Sequence, residues 1–158
     1  MPSEVAKEVK AWLGETRILL RAAELLAEWF TEEGIEPDEH VAFKASLDLP
    51  YRNLALLDEW LRVGDSAPNR VSQWTAKRFE ASQGLVRVIS PLLERIVMCQ
   101  PGFIVEARVE AQRTGEPPLP VVVLWGQFIG NLGLYVCTSI WEAYPECAPP
   151  DWSVQPKA

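Results

Sequence analysis

Residues 4–33 read EVAKEVKAWLGETRILLRAAELLAEWFTEE, and this stretch decides the fold class. Its apolar side chains recur at steps of three and four residues, the spacing that places side chains on one face of an α-helix. With Ser3 as a suitable N-cap and Gly34 as a suitable end, we predict a long amphipathic helix over about Glu4 to Glu33. The main apolar face consists of Val5, Val9, Trp12, Leu13, Leu19, Leu20, Ala23, Leu26, Ala27 and Phe30.

A second apolar row runs along the other half of the same helix. We call it the second stripe; it lies almost opposite the main face, with steps of four, three and four residues. Two interpretations stay open: the helix packs on both sides inside the protein, or the stripe is exposed and docks another protein or a second copy. Its members are Ile18, Ala22, Leu25 and Trp29, and we predict a solvated charged edge beside it at Arg17, Arg21, Glu24 and Glu28.

The middle of the chain also has helical spacing. A short helix is expected to begin near Pro37, where Asp38 and Glu39 complement the helix dipole, and to end near Leu47. The next one restarts at Asp48 and Pro50 and runs to Val63. A third helical pattern covers about Asn69 to Cys99, with Gly84 and Pro91 inside it. Because proline removes a backbone hydrogen bond, we predict a kink or two helices there.

The stretch 103–141 allows two interpretations. Phe103 to Arg113 alternates as a strand does but has helix-forming residues, and Leu119 to Trp141 contains no charged residue. A polar row at helical spacing favours helix: Gln127, Asn131, Tyr135, Thr138 and Glu142. We therefore predict an all-α fold, with α+β and a β-meander over 103–141 as the alternative. The protein is expected to be a single-domain helical bundle of about five to six helices over 1–144, followed by a Pro-rich tail over 145–158 on the surface.

The residue inventory argues against several chemistries. His40 is the one histidine, so any site that needs two imidazoles is excluded, and we predict no metal site, no cofactor and no catalytic residues. Cys99, Cys137 and Cys147 are too far apart for a zinc knuckle or a redox pair, and we expect free thiols, with Cys99 and Cys137 buried, in the cytoplasm. A net charge of −7 argues against direct nucleic-acid binding.

Three functions follow, from different classes. The leading hypothesis is a non-enzymatic protein–protein interaction module (an adaptor, assembly subunit or inhibitor) that acts through the second stripe as a homodimer or on another protein. The alternative is a ligand-binding or enzymatic bundle with a pocket near Trp125, Gln127, Asn131 and Tyr135. The further alternative is membrane association through 119–141, although Glu116 and Glu142 flank that segment and no basic residue adjoins it.

Overall fold

The fold is all-α, as predicted. The computed structural model describes residues 3–32, 39–71, 78–116, 119–150 and 152; about 83% of these are helical and none is in a strand. The β-meander over 103–141 is therefore wrong, because the described residues of that stretch form helices. The helices are α1 (Ser3–Glu32), α2 (Glu39–Ser46), α3 (Asp48–Val63), α4 (Gln83–Met98), α5 (Gly102–Thr114), α6 (Pro120–Leu132) and α7 (Thr138–Ala143).

Several of these helices follow one another with almost no break. α2 and α3 are separated only by Leu47, and a π-helical turn, Gly133–Cys137, joins α6 directly to α7. Only residues 99–101 separate α4 from α5, and the two form one helical segment, Gln83–Thr114. Counted in this way, the described residues make four helical segments (α1, α2–α3, α4–α5 and α6–α7), which corrects the five to six helices predicted. The physical reason is that the breaks in the apolar pattern are short and do not separate independent helices.

α3 lies antiparallel to α1. The Arg17 guanidinium donates to Asp58 Oδ1 at 3.0 Å near one end of the contact, and the Tyr51 hydroxyl donates to Glu24 near the other. Residue numbers thus rise along one helix as they fall along the other.

Side-chain contacts define the directions of α4, α6 and α7 relative to α1 and α3. Arg95, near the end of α4, lies 3.7 Å from Glu15, in the first half of α1. The Trp141 indole N–H of α7 donates to Ser90 Oγ at 3.0 Å. Gln83, at the start of α4, donates to Glu146, just after α7, so α7 is antiparallel to α4.

The Gln127 and Asn131 side chains donate to Asn69 and Asn53, so α6 is antiparallel to α3 and runs in the direction of α1. Since α7 continues α6, α4 is antiparallel to α1 as well.

One apolar core joins these helices. Trp12 of α1 meets Phe128 of α6 edge to face, with ring centroids 5.4 Å apart. Burial of large apolar side chains is the main stabilising contribution to such a fold. Side chains less than 2% exposed include Leu20, Phe43, Leu54, Leu57, Phe79, Leu85, Ile89, Leu93, Ile104, Phe128 and Trp141.

α4 begins later than the sequence predicts. Residues 69–71 and 78–82 are not helical, and the predicted residues 72–77 lie outside the described residues. Ser82 is the N-cap, since its hydroxyl accepts from the Leu85 N–H at 3.4 Å. Glu39 fixes that position from α2, because its carboxylate accepts from the backbone N–H of Ser82 at 2.6 Å. From Gln83 the helix continues through Pro91 to Met98 as one element, so of the two predicted alternatives, a kink or two helices, the second is wrong.

The π-helical turn has a tertiary partner. A π turn widens the helix and leaves a carbonyl without its usual donor. The Tyr135 carbonyl accepts instead from the Phe79 N–H at 2.8 Å. The Gln127 side chain likewise donates to the Asn69 carbonyl at 2.8 Å. The chain between α3 and α4 is thereby attached to the α6 side of the protein on both sides of residues 72–77.

The residues after α7 return to the core. Trp152 packs edge to face on Trp141, with ring centroids 4.7 Å apart, and Pro149 is buried. This part of the predicted tail is a packed segment; the positions 151 and 153–158 lie outside the described residues.

The cysteines differ in exposure. Cys137 is buried, and its burial raises the pKa of the thiol far above the ordinary range. Cys99, predicted to be buried, is exposed. The correction has a local cause: α4 ends at Met98, so Cys99 is already outside the last turn that faces the core.

Candidate interaction surface

The second stripe faces solvent. Ile18 is 70% exposed, Leu25 48% and Trp29 62%, while Ala22 is half-buried. On the opposite face of α1, Leu20 is fully buried, together with Ala23 and Ala27. The rest of the protein therefore packs against other faces of α1, and an apolar row that contains an indole is left in water.

The charged edge beside the stripe is only partly solvated. Glu24, predicted to be exposed, is 8% exposed, because α3 packs against this side of α1. Arg17 is bound to Asp58. Arg21 and Glu28 remain exposed, and they border the stripe at a spacing of two helical turns. Among the described residues, Arg21 approaches Glu24 at 3.9 Å and Glu28 forms no ion pair.

Electrostatics hold α1 on α3 beneath the stripe. Burial raises the pKa of Tyr51 well above its ordinary value, and the hydrogen bond to Glu24 and the charge of that carboxylate add to the effect. Arg21 and Arg17 act in the opposite direction, because a nearby cation favours the phenolate. The hydrogen bond to Asp58 raises the pKa of Arg17. The helix that carries the stripe is thus fixed by polar contacts at two points.

A groove between α1 and α3, which sequence reasoning missed, lies next to this region. Its volume is about 670 Å³ and its walls are largely cationic above an apolar floor. The basic residues of α1 recur at helical spacing, and this pattern could have indicated the α1 side of the groove. The α3 side could not have been predicted from the sequence, because it depends on tertiary packing. Its lining residues are Ala6, Lys7, Lys10, Leu13, Gly14, Arg17, Asp58, Leu61 and Arg62.

Two of the four residues predicted to form a pocket line the same cavity. Gln127 and Asn131 line a cavity of about 350 Å³, but their amides already bind Asn69 and Asn53. Trp125 is buried with Arg108 5.5 Å from its ring centroid. Neither Trp125 nor Tyr135 lines that cavity. The amide hydrogen bonds tie α6 to α3 and to the residues that follow α3, which is the usual role of buried amides.

Other candidate chemistry is sparse in the described residues. They contain no group of three or more His, Cys, Asp or Glu side chains that could hold a metal ion. The Nδ1 of His40 and the indole nitrogens of Trp125 and Trp152 are buried without a hydrogen-bond partner among them. The Glu110 carboxylate of α5 accepts from Arg113 Nε at 3.3 Å.

Two helical segments within the described residues are long and apolar enough to cross a membrane. They are Gln83–Thr114 and Pro120–Ala143, with mean hydropathy of 1.4 and 1.5. Length and composition alone carry this result, and a core helix of a soluble protein satisfies the same criteria. In the second segment, Phe128, Leu132 and Val136 are fully buried against other helices.

Comparison with protein-family models, with curated proteins and with solved structures found no match to this chain.

Proposed function

We propose that the protein is a non-enzymatic interaction module: a helical bundle whose long N-terminal helix docks a protein surface through the second stripe. The observation that carries the proposal is the exposure of Ile18, Leu25 and Trp29 along one line of a helix whose opposite face contributes Leu20, Ala23 and Ala27 to the core. Large apolar side chains aligned on a surface are costly to leave in water and mark contact sites.

The composition of the stripe suits binding. Tryptophan is among the residues that contribute most to binding energy at interfaces, and here Trp29 is flanked by aliphatic side chains one and three turns away. The helix is held rigidly by its contacts with α3 and α4, so docking would order few additional side chains. The stripe is therefore preorganised for a partner.

We propose that the protein acts in a reducing compartment, the cytoplasm. Its support is that Cys99, Cys137 and Cys147 are free thiols, as disulfides are rare where thiols are kept reduced. The net charge of −7 would attract a basic partner through electrostatic steering.

The test is photo-crosslinking from the stripe. A photoreactive phenylalanine analogue replaces Trp29, and the matched control places it at Val109, which is 58% exposed on α5. The labelled protein is irradiated both pure and in an extract of its native cells. We expect adducts from position 29, with itself or with another polypeptide, and none above background from position 109. The absence of adducts from position 29 in both samples would overturn the proposal.

A further inference from the structure

The second stripe is complementary to itself. Its steps of four, three and four are those of a coiled-coil contact, with Ala22 and Leu25 in the middle and Ile18 and Trp29 at the ends. On the basis of the proposed function, we propose that the docking partner is a second copy of this chain. The two α1 helices lie antiparallel, and the two-fold axis that relates them runs between the helices at the level of the Ala23–Glu24 peptide bond.

Side-chain size favours the antiparallel arrangement. In that arrangement Ala22 faces Leu25 of the second copy and Ile18 faces Trp29 of the second copy, so each larger side chain meets a smaller one. A parallel pairing would instead bring Ala22 against Ala22 and Trp29 against Trp29, which leaves a gap at the centre and crowds one end. Close packing without voids or overlaps is what stabilises such contacts.

Charge selects the same arrangement. Arg21 and Glu28 border the stripe on its α3 side and are both exposed. In the antiparallel register, Arg21 lies two residues along the axis from Glu28 of the second copy, an offset of about 3 Å at 1.5 Å per residue. The two-fold symmetry repeats the pair, so two ion pairs flank the contact. A parallel pairing would place Arg21 opposite Leu26.

The register is also restricted. A shift of one heptad in one direction would place Glu15 opposite Leu25, although the Glu15 carboxylate is 68% exposed and lies 3.7 Å from Arg95. Burying that charge against an apolar side chain is unfavourable. The opposite shift would place Ile18 opposite position 36, beyond the end of α1 at Glu32. One register satisfies shape and charge together.

The dimer is weak by this geometry. The stripe supplies four side chains per copy, fewer than the 20–30 residues of a standard interface that buries about 800 Å² per partner. We expect a dissociation constant in the micromolar range, and hence a monomer–dimer equilibrium that depends on protein concentration.

A charge-swap experiment tests the arrangement. Sedimentation velocity over a concentration series measures dimerisation of the wild type, of Arg21→Glu, of Glu28→Arg and of the double variant. Each single swap creates two like-charge contacts and should weaken the dimer about tenfold, whereas the double variant restores both pairs and should return to within about threefold of the wild type. Leu25→Asp should abolish the dimer, and Val109→Glu is the control for an added surface charge.

Circular dichroism and thermal unfolding establish that each variant is folded. The new carboxylate of Arg21→Glu lies close to the buried Glu24. If that variant unfolds for this reason, the test relies on Leu25→Asp and Glu28→Arg. A wild type that stays monomeric at every concentration overturns the proposal, as does a dimer that the single swaps leave intact or that the double variant fails to restore. If position 29 cross-links to another polypeptide and the wild type is monomeric, the homodimer proposal is wrong, whereas the proposed function stands.

Discussion

Glu24 is a carboxylate buried at the contact of two helices, and Tyr51 satisfies it. Removal of the phenol hydroxyl in Tyr51→Phe leaves that charge without its donor. We expect the free energy of unfolding to fall by about 1–3 kcal/mol, the usual cost of an unsatisfied buried group. Urea denaturation measures the change. Tyr144→Phe is the matched control, because the Tyr144 hydroxyl has no partner among the described residues, and a loss of equal size in both variants would contradict the prediction.

The same phenol gives the protein a dependence on alkaline pH. The pKa of Tyr51 is higher in the folded chain than its unfolded value of about 10, so the folded state holds the proton more tightly. Its contribution to stability is complete below about pH 10 and is lost as the pH rises towards the folded pKa. Denaturation across that range should show a shallower decline for Tyr51→Phe than for the wild type. Equal slopes would contradict this reading; the buried Cys137 acts alike in both proteins.

Thiol labelling separates the cysteines. Cys99 is exposed and should react with a maleimide in the native protein, whereas Cys137 is buried with a raised pKa and should react only after unfolding. Mass spectrometry of labelled peptides reads out each site. Labelling of Cys137 at the rate of Cys99 without denaturant would show that the packing around α7 opens readily. The sequence misplaced Cys99 because an apolar neighbourhood does not reveal where a helix ends.

At the scale of the elements, Asn131 of α6 and Asn53 of α3 form a link that crosses 78 residues of sequence. Asn131 Nδ2 donates to Asn53 Oδ1 at 2.9 Å, and Asn53 is 2% exposed. Asn131→Leu leaves the Asn53 amide unpaired and should cost about 1–3 kcal/mol. Adding Asn53→Leu should cost less than the sum of the two single changes, because no orphaned amide remains. Urea denaturation of the four proteins gives the coupling energy, and additive losses would contradict the link; Gln112→Leu on α5 is the surface control.

The elements show what local pattern can and cannot predict. The polar row from Gln127 to Glu142 identified a helix in an uncharged segment, since helical periodicity is a local property. The start of α4 at Gln83 was missed because a contact distant in sequence marks it: Glu39 binds the N-cap Ser82, which lies 43 residues later. The strand-like alternation that includes Val105 and Val109 supported only the rejected β alternative: both are exposed on α5, so their spacing does not report a buried face.

At the scale of the whole molecule, Trp152 closes the core over Trp141, which is 1% exposed. Trp152→Ala should uncover that indole and lower the free energy of unfolding by about 1–3 kcal/mol, less than for a fully buried tryptophan because Trp152 is half-buried. Thermal unfolding and tryptophan fluorescence measure the effect. A variant as stable as the wild type would return this segment to the surface tail that the sequence predicts.

Only part of the candidate site could be predicted from the sequence. The second stripe could be found because both of its determinants, the row itself and the opposite main face, lie on one helix. The predicted pocket could not be tested in that way, because the partners of Gln127 and Asn131 come from other parts of the chain. A surface formed by one helix can be predicted from the sequence, whereas a cavity shared by several elements cannot.

The shared direction of α1 and α7 has a mechanical consequence. Force applied between the start of α1 and the end of α7, as in an optical trap, acts along the axes of both helices and shears them against α3 and α4. The Tyr51–Glu24 and Trp141–Ser90 hydrogen bonds would then share the load in parallel and fail together, rather than opening one after another as in a zipper.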